Sequence, residues 1–156
     1  MNAELIQQAA ELVQSARMIV AFTGAGISTP SGIPDFRSDD CGLWEQDNPM
    51  EVASIFGFRQ NPQAFYNWVR PLARTTFDAQ PNPAHIALAQ LEKMGKLDSI
   101  ITQNIDMLHT RAGNSNVYEL HGHMREATCI HCFTKYEAES IIDDVVKTGR
   151  VPHCPK

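Results

Sequence analysis

The run Met18-Ile-Val-Ala-Phe-Thr-Gly-Ala-Gly-Ile-Ser28 constrains the fold more than any other segment of the chain. Met18 to Phe22 is apolar and rich in strand-forming residues. It reads as a strand buried on both faces, as in a parallel sheet. The strand runs directly into Gly24-Ala25-Gly26. Glycine lets a backbone turn sharply and approach a ligand, and free N–H groups in such a turn can hold a diphosphate. The pattern is that of the first turn of a dinucleotide-binding unit, with one departure: the third glycine of G-x-G-x-x-G would fall at Thr29. Pro30, Gly32 and Pro34 follow, so no helix is expected to start there. The turn should open into a long irregular loop, to about Asn48, carrying Asp35-Phe36-Arg37, Asp39-Asp40, Cys41 and Leu43-Trp44. Such loops are usually functional or disordered. A glycine pair after a strand is also a common structural turn, so this feature alone is weak.

The 156 residues suffice for one domain with a core, and 43% apolar with 20% charged residues is ordinary for a globular chain. A net charge of −5 and the absence of any Lys/Arg run argue against a nucleic-acid partner. No segment approaches the roughly 20 apolar residues that span a bilayer. The start, Met1-Asn-Ala-Glu-Leu, lacks the basic and apolar regions of a signal peptide, so a cytoplasmic protein is expected.

Leu5, Ile6, Ala9, Leu12 and Val13 have helical spacing and predict an amphipathic helix over 3–16 that packs on the sheet. Helices are expected at Met50–Phe58 and from Pro62 to about Phe77, with Pro62 in the first turn. Phe56, Phe58, Phe65 and Trp68, with Trp44, read mostly as core of this helical layer, the alternative being that some wall a substrate tunnel. Pro81-Asn-Pro83 is a break. A helix follows over Ala84–Met94, then a buried strand over Leu97–Thr102. Met107–Ala112 reads as a short helix stopped by Gly113, and Val117–Leu120 as a third strand ending at His121-Gly122. Beyond Met124 the chain turns polar, with a helix expected over Ala138–Lys147.

Cys129-Ile-His-Cys132 forms a C-x-x-C pair, and Cys154 follows at a spacing near that between the two knuckles of a zinc ribbon. A fourth cysteine would belong one place beyond Lys156. His131 or His153 are alternative fourth ligands, and a redox or incidental C-x-x-C is the alternative reading of the pair. Cys41 reads as a free thiol. His121 by itself could be a capping or core histidine, Arg37 could pair with Asp39 or Asp40, Asp35 could be a turn residue, and Asp106 could cap the helix after it.

Gly24-Ala-Gly-Ile-Ser28 with Gly32-Ile-Pro-Asp-Phe-Arg37, then Thr102-Gln-Asn-Ile-Asp106, then His121-Gly122 ahead of C-x-x-C, together resemble the sirtuins, which are NAD-dependent protein-lysine deacylases. The resemblance covers the chain from the first helix to Cys154. It implies an α/β fold: a Rossmann-type parallel sheet (1–48 and 79–123) with a small domain made of a helical module (49–78) and a zinc ribbon (124–156). By resemblance, Gly24, Ala25, Gly26, Ser28, Asp35, Phe36 and Arg37 would contact NAD. Gln103, Asn104 and Asp106 would line the nicotinamide and ribose pocket, and His121 would be the general base. Cys129, Cys132 and Cys154 would ligate Zn2+. The residues suit that chemistry. An acyl oxygen is a weak nucleophile that must be held near the ribose C1′. A histidine that titrates near neutrality can activate a ribose hydroxyl. Asn104 and Asp106 can orient a carboxamide and a ribose, and Phe36 can exclude water.

The expected reaction is deacetylation of an acetylated lysine in a protein or peptide, with acyl transfer to ADP-ribose and release of nicotinamide. The family's desuccinylases carry Tyr-x-x-Arg in the helical module. Here Tyr66 is followed by Val69 at that place and Arg70 one residue late, a turn of about 100° on a helix, so a neutral acyl group is expected. Mono-ADP-ribosyl transfer and a catalytically incomplete zinc-binding fragment are the alternatives. An ordinary dehydrogenase would want a third glycine and an acidic end to its second strand, where Gln103-Asn104 stands. By comparison with the family, the chain lacks the fourth cysteine and the later strands of the sheet. It is therefore expected to be part of a longer protein, and by itself weakly stable, prone to associate and without useful deacylation.

Overall fold

The computed structural model describes residues 3–35 and 49–156. The apolar run after the first helix forms β1 (Ile19–Thr23), which pairs in parallel with β2 (Leu97–Thr102); β3 (Val117–Glu119) pairs in parallel with the other edge of β2. Residues level with one another share a face. Ala21 and Thr23 lie beside Ile100 and Thr102, and Val20 and Phe22 beside Ser99 and Ile101.

The Thr23 face is covered. His109 on α6 (Leu108–Ala112) bonds to Thr23, and His85 on α5 (Pro83–Lys93) packs against His109. Ile100, Ala89 and Leu108 are the sealed centre of this layer. The opposite face is open at the edge strands, where Val20 and Tyr118 are exposed and Phe22 is 65% exposed, while Ser99 on the central strand is buried. The expectation of a strand buried on both faces is therefore corrected for β1, whose inward and outward residues alternate. The amphipathic helix forms as α1 (Ala3–Ser15), yet none of its residues is buried, and Leu5, Ile6 and Leu12 are exposed. The expected packing of α1 on the sheet is thus also corrected. Periodicity states which stripe of a helix needs cover, not whether cover is present. Lys96 Nζ donates to Gln14 O at 2.8 Å, at the end of the helix.

The helical layer holds α2 (Pro49–Val52), α3 (Ile55–Gln60) and α4 (Pro62–Asp78). The single helix expected over Met50–Phe58 is two, because Ser54 leaves helical geometry and its side chain accepts the Gly57 N–H as an N-cap. Asn61 caps α4 in the same way ahead of Pro62. Phe58, Phe65, Tyr66 and Trp68 make an aromatic cluster with centroids 5.2–6.2 Å apart. Phe56 is not part of that core; it is 70% exposed.

The last module is an antiparallel pair, β4 (Glu126–Thr128) and β5 (Lys135–Glu137), followed by α7 (Ala138–Thr148). Arg70 on α4 donates from Nε to Val146 O at 2.9 Å and from Nη2 to Lys147 O at 3.4 Å. Gln63 donates to Gly149 O at 2.9 Å. Carbonyls at the end of a helix lack intrahelical partners, and a cation is favoured there by the helix dipole. Arg70 and Gln63 thus join the helical layer to the ribbon module.

Candidate functional site

The expected irregular loop after β1 is in fact ordered at its start into two 3-10 turns, Ala25–Ile27 and Thr29–Ser31. Pro30 has no N–H and forbids a longer helix, while 3-10 bonds close in short pieces. Ile27 N donates to Gly24 O (3.1 Å), Ser28 N to Ala25 O (2.9 Å) and Gly32 N to Thr29 O (2.9 Å). A Cβ placed on Gly24 or Gly26 would meet no atom within 4 Å. Nothing among the described residues requires glycine at these positions. The open space beside them fits a ligand lying along the backbone.

Ser28 is buried beneath this turn. Its Oγ donates to Asp106 Oδ2 at 2.6 Å, and Asn104 Nδ2 donates to Ser28 Oγ at 3.0 Å and to Gly24 O at 3.1 Å. The loop after β2 is therefore bonded to the glycine turn after β1. Asp106 Oδ1 also accepts the Leu108 N–H at 2.9 Å at the start of α6, the capping role anticipated for it. This geometry holds Met107 at φ 63°, a left-handed conformation costly for a side chain with a Cβ.

Gly24, Ser28, Asn104 and Asp106 are thus assembled, with Ala25 and Gly26 on the same turn. Gln103 is exposed beside them, and its N–H continues the sheet by donating to Thr23 O at 3.0 Å. His121 is exposed just past β3. Its loop is fixed next to the Asn104 loop: Leu120 N donates to Thr102 O (2.9 Å) and Met124 N to Ile105 O (3.2 Å). A two-pronged ion pair between Arg125 and Glu119 closes the loop that presents His121. Asp35 is half-buried and engaged with a neighbour. Phe36 and Arg37, with Asp39, Asp40, Cys41 and Trp44, lie outside the described residues.

Sequence reasoning assigned no role to two histidines that sit directly behind the site. His85 and His109 are fully buried with ring centroids 4.9 Å apart, and His109 Nε2 lies 2.9 Å from Thr23 Oγ1. Burial lowers the pKa of both, although Asp106 opposes the shift; His109, lowered further by His85, falls to about 4. His85 Nε2 and His109 Nδ1 find no partner among the described residues. His85 had a readable signal: it stands at the third position of a helix opened by Asn82-Pro83, where its Nδ1 accepts the Asn82 N–H at 3.3 Å.

The sulfurs of Cys129, Cys132 and Cys154 lie within 4.8 Å of one another, and Cys132 Sγ is 3.6 Å from Cys154 Sγ. That separation is too long for a disulfide bond of about 2.05 Å. It is close to the roughly 3.8 Å between thiolates on a tetrahedral zinc with Zn–S near 2.3 Å, so the donor set fits the ion. Hydrogen bonding with Thr134 draws the Cys132 thiol down to about 6, towards the thiolate a metal requires.

The model of the Sir2 family matches residues 24–156. The NAD-dependent protein deacylase 2 of Archaeoglobus fulgidus is 49% identical over 97% of the chain and 58% of its own length. The NAD-dependent protein deacetylase of Sulfurisphaera tokodaii is also 49% identical, over 92% of the chain and 57% of its own length. A structure described as "Structural Basis for the Mechanism and Regulation of Sir2 Enzymes" superposes with a TM-score of 0.89 at 47% identity, covering 99% of this chain and 60% of that one. Another, "Sir2-p53 peptide-NAD+", superposes at 0.83 with 41% identity, over 96% of this chain and 59% of that one. The chain thus spans less than two thirds of the length of these relatives.

Proposed function

The chain belongs to the Sir2 family, and from that premise we propose that it carries the catalytic core of an NAD-dependent protein-lysine deacetylase acting on acetylated lysine in a protein or peptide. The observation that carries the reading is the bonded set Asn104–Ser28–Asp106 beneath the open Gly24–Gly26 turn. NAD supplies an activated glycosidic bond whose cleavage releases nicotinamide. Gly24, Ala25 and Gly26 would lie along its phosphates and Asn104 and Gln103 beside the nicotinamide ribose, with Ser28 and Asp106 fixing Asn104 in orientation. Asp35, Phe36 and Arg37 would complete the cofactor contacts. His121, solvent-accessible and on the loop next to Asn104, would take a proton from a ribose hydroxyl on its imidazole nitrogen.

Zinc held by Cys129, Cys132 and Cys154 would close the ribbon by replacing apolar core with metal–thiolate bonds. A neutral acyl group is favoured because Arg70, the one guanidinium near Tyr66 in sequence, is engaged with the α7 carbonyls. Burial also raises the Tyr66 phenol, keeping it neutral. Three free thiols among the described residues suit a reducing cytoplasm.

The test is nicotinamide release from NAD with an acetyl-lysine peptide, for this chain and for His121→Ala. Release that needs the peptide and disappears in the variant supports the reading. Deacetylated peptide that still forms in the variant counts against His121 as the base, and ADP-ribosylated protein without deacetylated peptide favours ADP-ribosyl transfer. The 57–60% span of the relatives gives the alternative of a catalytically incomplete zinc-binding piece its weight. No release from either protein, with one zinc retained per chain, would favour it.

A further inference from the structure

The turn after β1 is held from two sides. On the β2 side Asn104 and Asp106 grip Gly24 and Ser28. On the other side stands Asn82, which precedes α5 and is 7% exposed. Its Nδ2 donates to Ile27 O at 2.7 Å and to Ser31 Oγ at 2.9 Å. Its Oδ1 accepts the Ala84 N–H at 2.9 Å as the N-cap of α5. Its own N–H is taken by His85 Nδ1. Both amide protons and the amide oxygen are therefore engaged, and the two protons go to different 3-10 turns.

We infer that Asn82 is a positioning residue for the ligand-binding turn. It anchors the junction of the Ala25–Ile27 and Thr29–Ser31 turns to the rigid end of α5, at the point where neither a longer helix nor the sheet can hold them. The two functions of the amide separate by atom. The oxygen caps a helix, for which a carboxylate serves as well. The nitrogen alone holds the turn. This placement rests on the proposed NAD site for its consequence, but not for its geometry. A turn held on one side only would present its N–H groups to a diphosphate less uniformly and would pay ordering entropy on binding.

The experiment compares Asn82→Asp with Asn82→Ala by amide hydrogen exchange and by NAD affinity. Asn82→Asp keeps the acceptor for Ala84 but faces the Ile27 carbonyl without a donor. The expected result is faster exchange at Ile27, Ser28, Ser31 and Gly32, with α5 amides unchanged, and NAD affinity lower by roughly tenfold, the worth of about one net hydrogen bond. Asn82→Ala should loosen both the turn and α5. Wild-type exchange of the turn in Asn82→Asp overturns the inference and leaves Asn82 a helix cap only. The same holds if NAD binds Asn82→Asp and wild type equally. If the wild type binds no NAD, the proposed function fails, while the exchange pattern still decides whether Asn82 holds the turn.

Discussion

Phe133 is a bulky residue in a left-handed conformation, φ 58°, directly after the second cysteine of the knuckle. Its side chain is 75% exposed, so it buries little to offset the strain. Phe133→Gly removes the steric cost of about 1–2 kcal/mol and adds back part of it as unfolded-chain entropy. A net gain of roughly 0.5–1 kcal/mol is expected, seen as a higher thermal midpoint; a lower midpoint would show that the ring packs against something. The buried histidines predict a pH dependence. His109 titrates near 4 in the fold and near 6.5 when unfolded, so between these values the unfolded chain binds more protons. Its contribution is complete above about pH 6.5 and declines as pH falls towards 4. Urea unfolding across pH 4–7 should show that decline, and His109→Gln should start less stable but vary less with pH. An unchanged slope would assign the acid sensitivity elsewhere.

At the scale of elements, the joint between α4 and α7 depends on Gly149. Its φ is +69°, and a Cβ there would sit 3.1 Å from Nη1 of Arg70, whose Nε and Nη2 hold carbonyls at the end of α7. Gly149→Ala therefore strains the backbone and displaces the guanidinium at once. A loss of about 1–3 kcal/mol is expected, with faster exchange in α7 and little change at the sheet. Uniform acceleration everywhere would mean that the ribbon module and the sheet unfold as one unit. Arg70→Lys should reproduce part of the loss, since a single ammonium cannot match two carbonyls with a planar fork. The same engagement of Arg70 predicts faster turnover of acetyl-lysine than succinyl-lysine; the reverse order would show that the guanidinium leaves α7 to meet an acidic acyl group.

On the scale of the whole molecule, the sheet has one face covered and one open. Val20, Phe22, Tyr118 and Leu120, together with Leu5, Ile6 and Leu12 of α1, present exposed apolar surface. Large exposed apolar surface in an isolated chain drives association. Sedimentation of the 156-residue chain should show concentration-dependent self-association, reduced several-fold by Phe22→Ser with Leu12→Ser, and without a fall in midpoint because neither side chain is buried. Monomeric behaviour at all concentrations, or a large loss of stability in the double variant, would show that this face is covered.

The sequence by itself determined what is local. Strand-forming runs set β1, β2 and β3, spacing set α1 and α4 to within a residue or two, and C-x-x-C spacing marked the three cysteines, while Ser28, Asn104 and His121 were named only through the resemblance to a family. Pro81-Asn-Pro83 was legible as a break before a helix, though not as a grip on a turn 51 and 55 residues away. Only the tertiary structure decided that grip, the tilted packing of His85 against His109, the capture of α7 by Arg70, and the exposure of α1 and of one sheet face at its edge strands. The physical reason is common to all four. A hydrogen bond or a buried contact belongs to two segments at once, and periodicity and propensity along one segment do not say which distant partner will complete it.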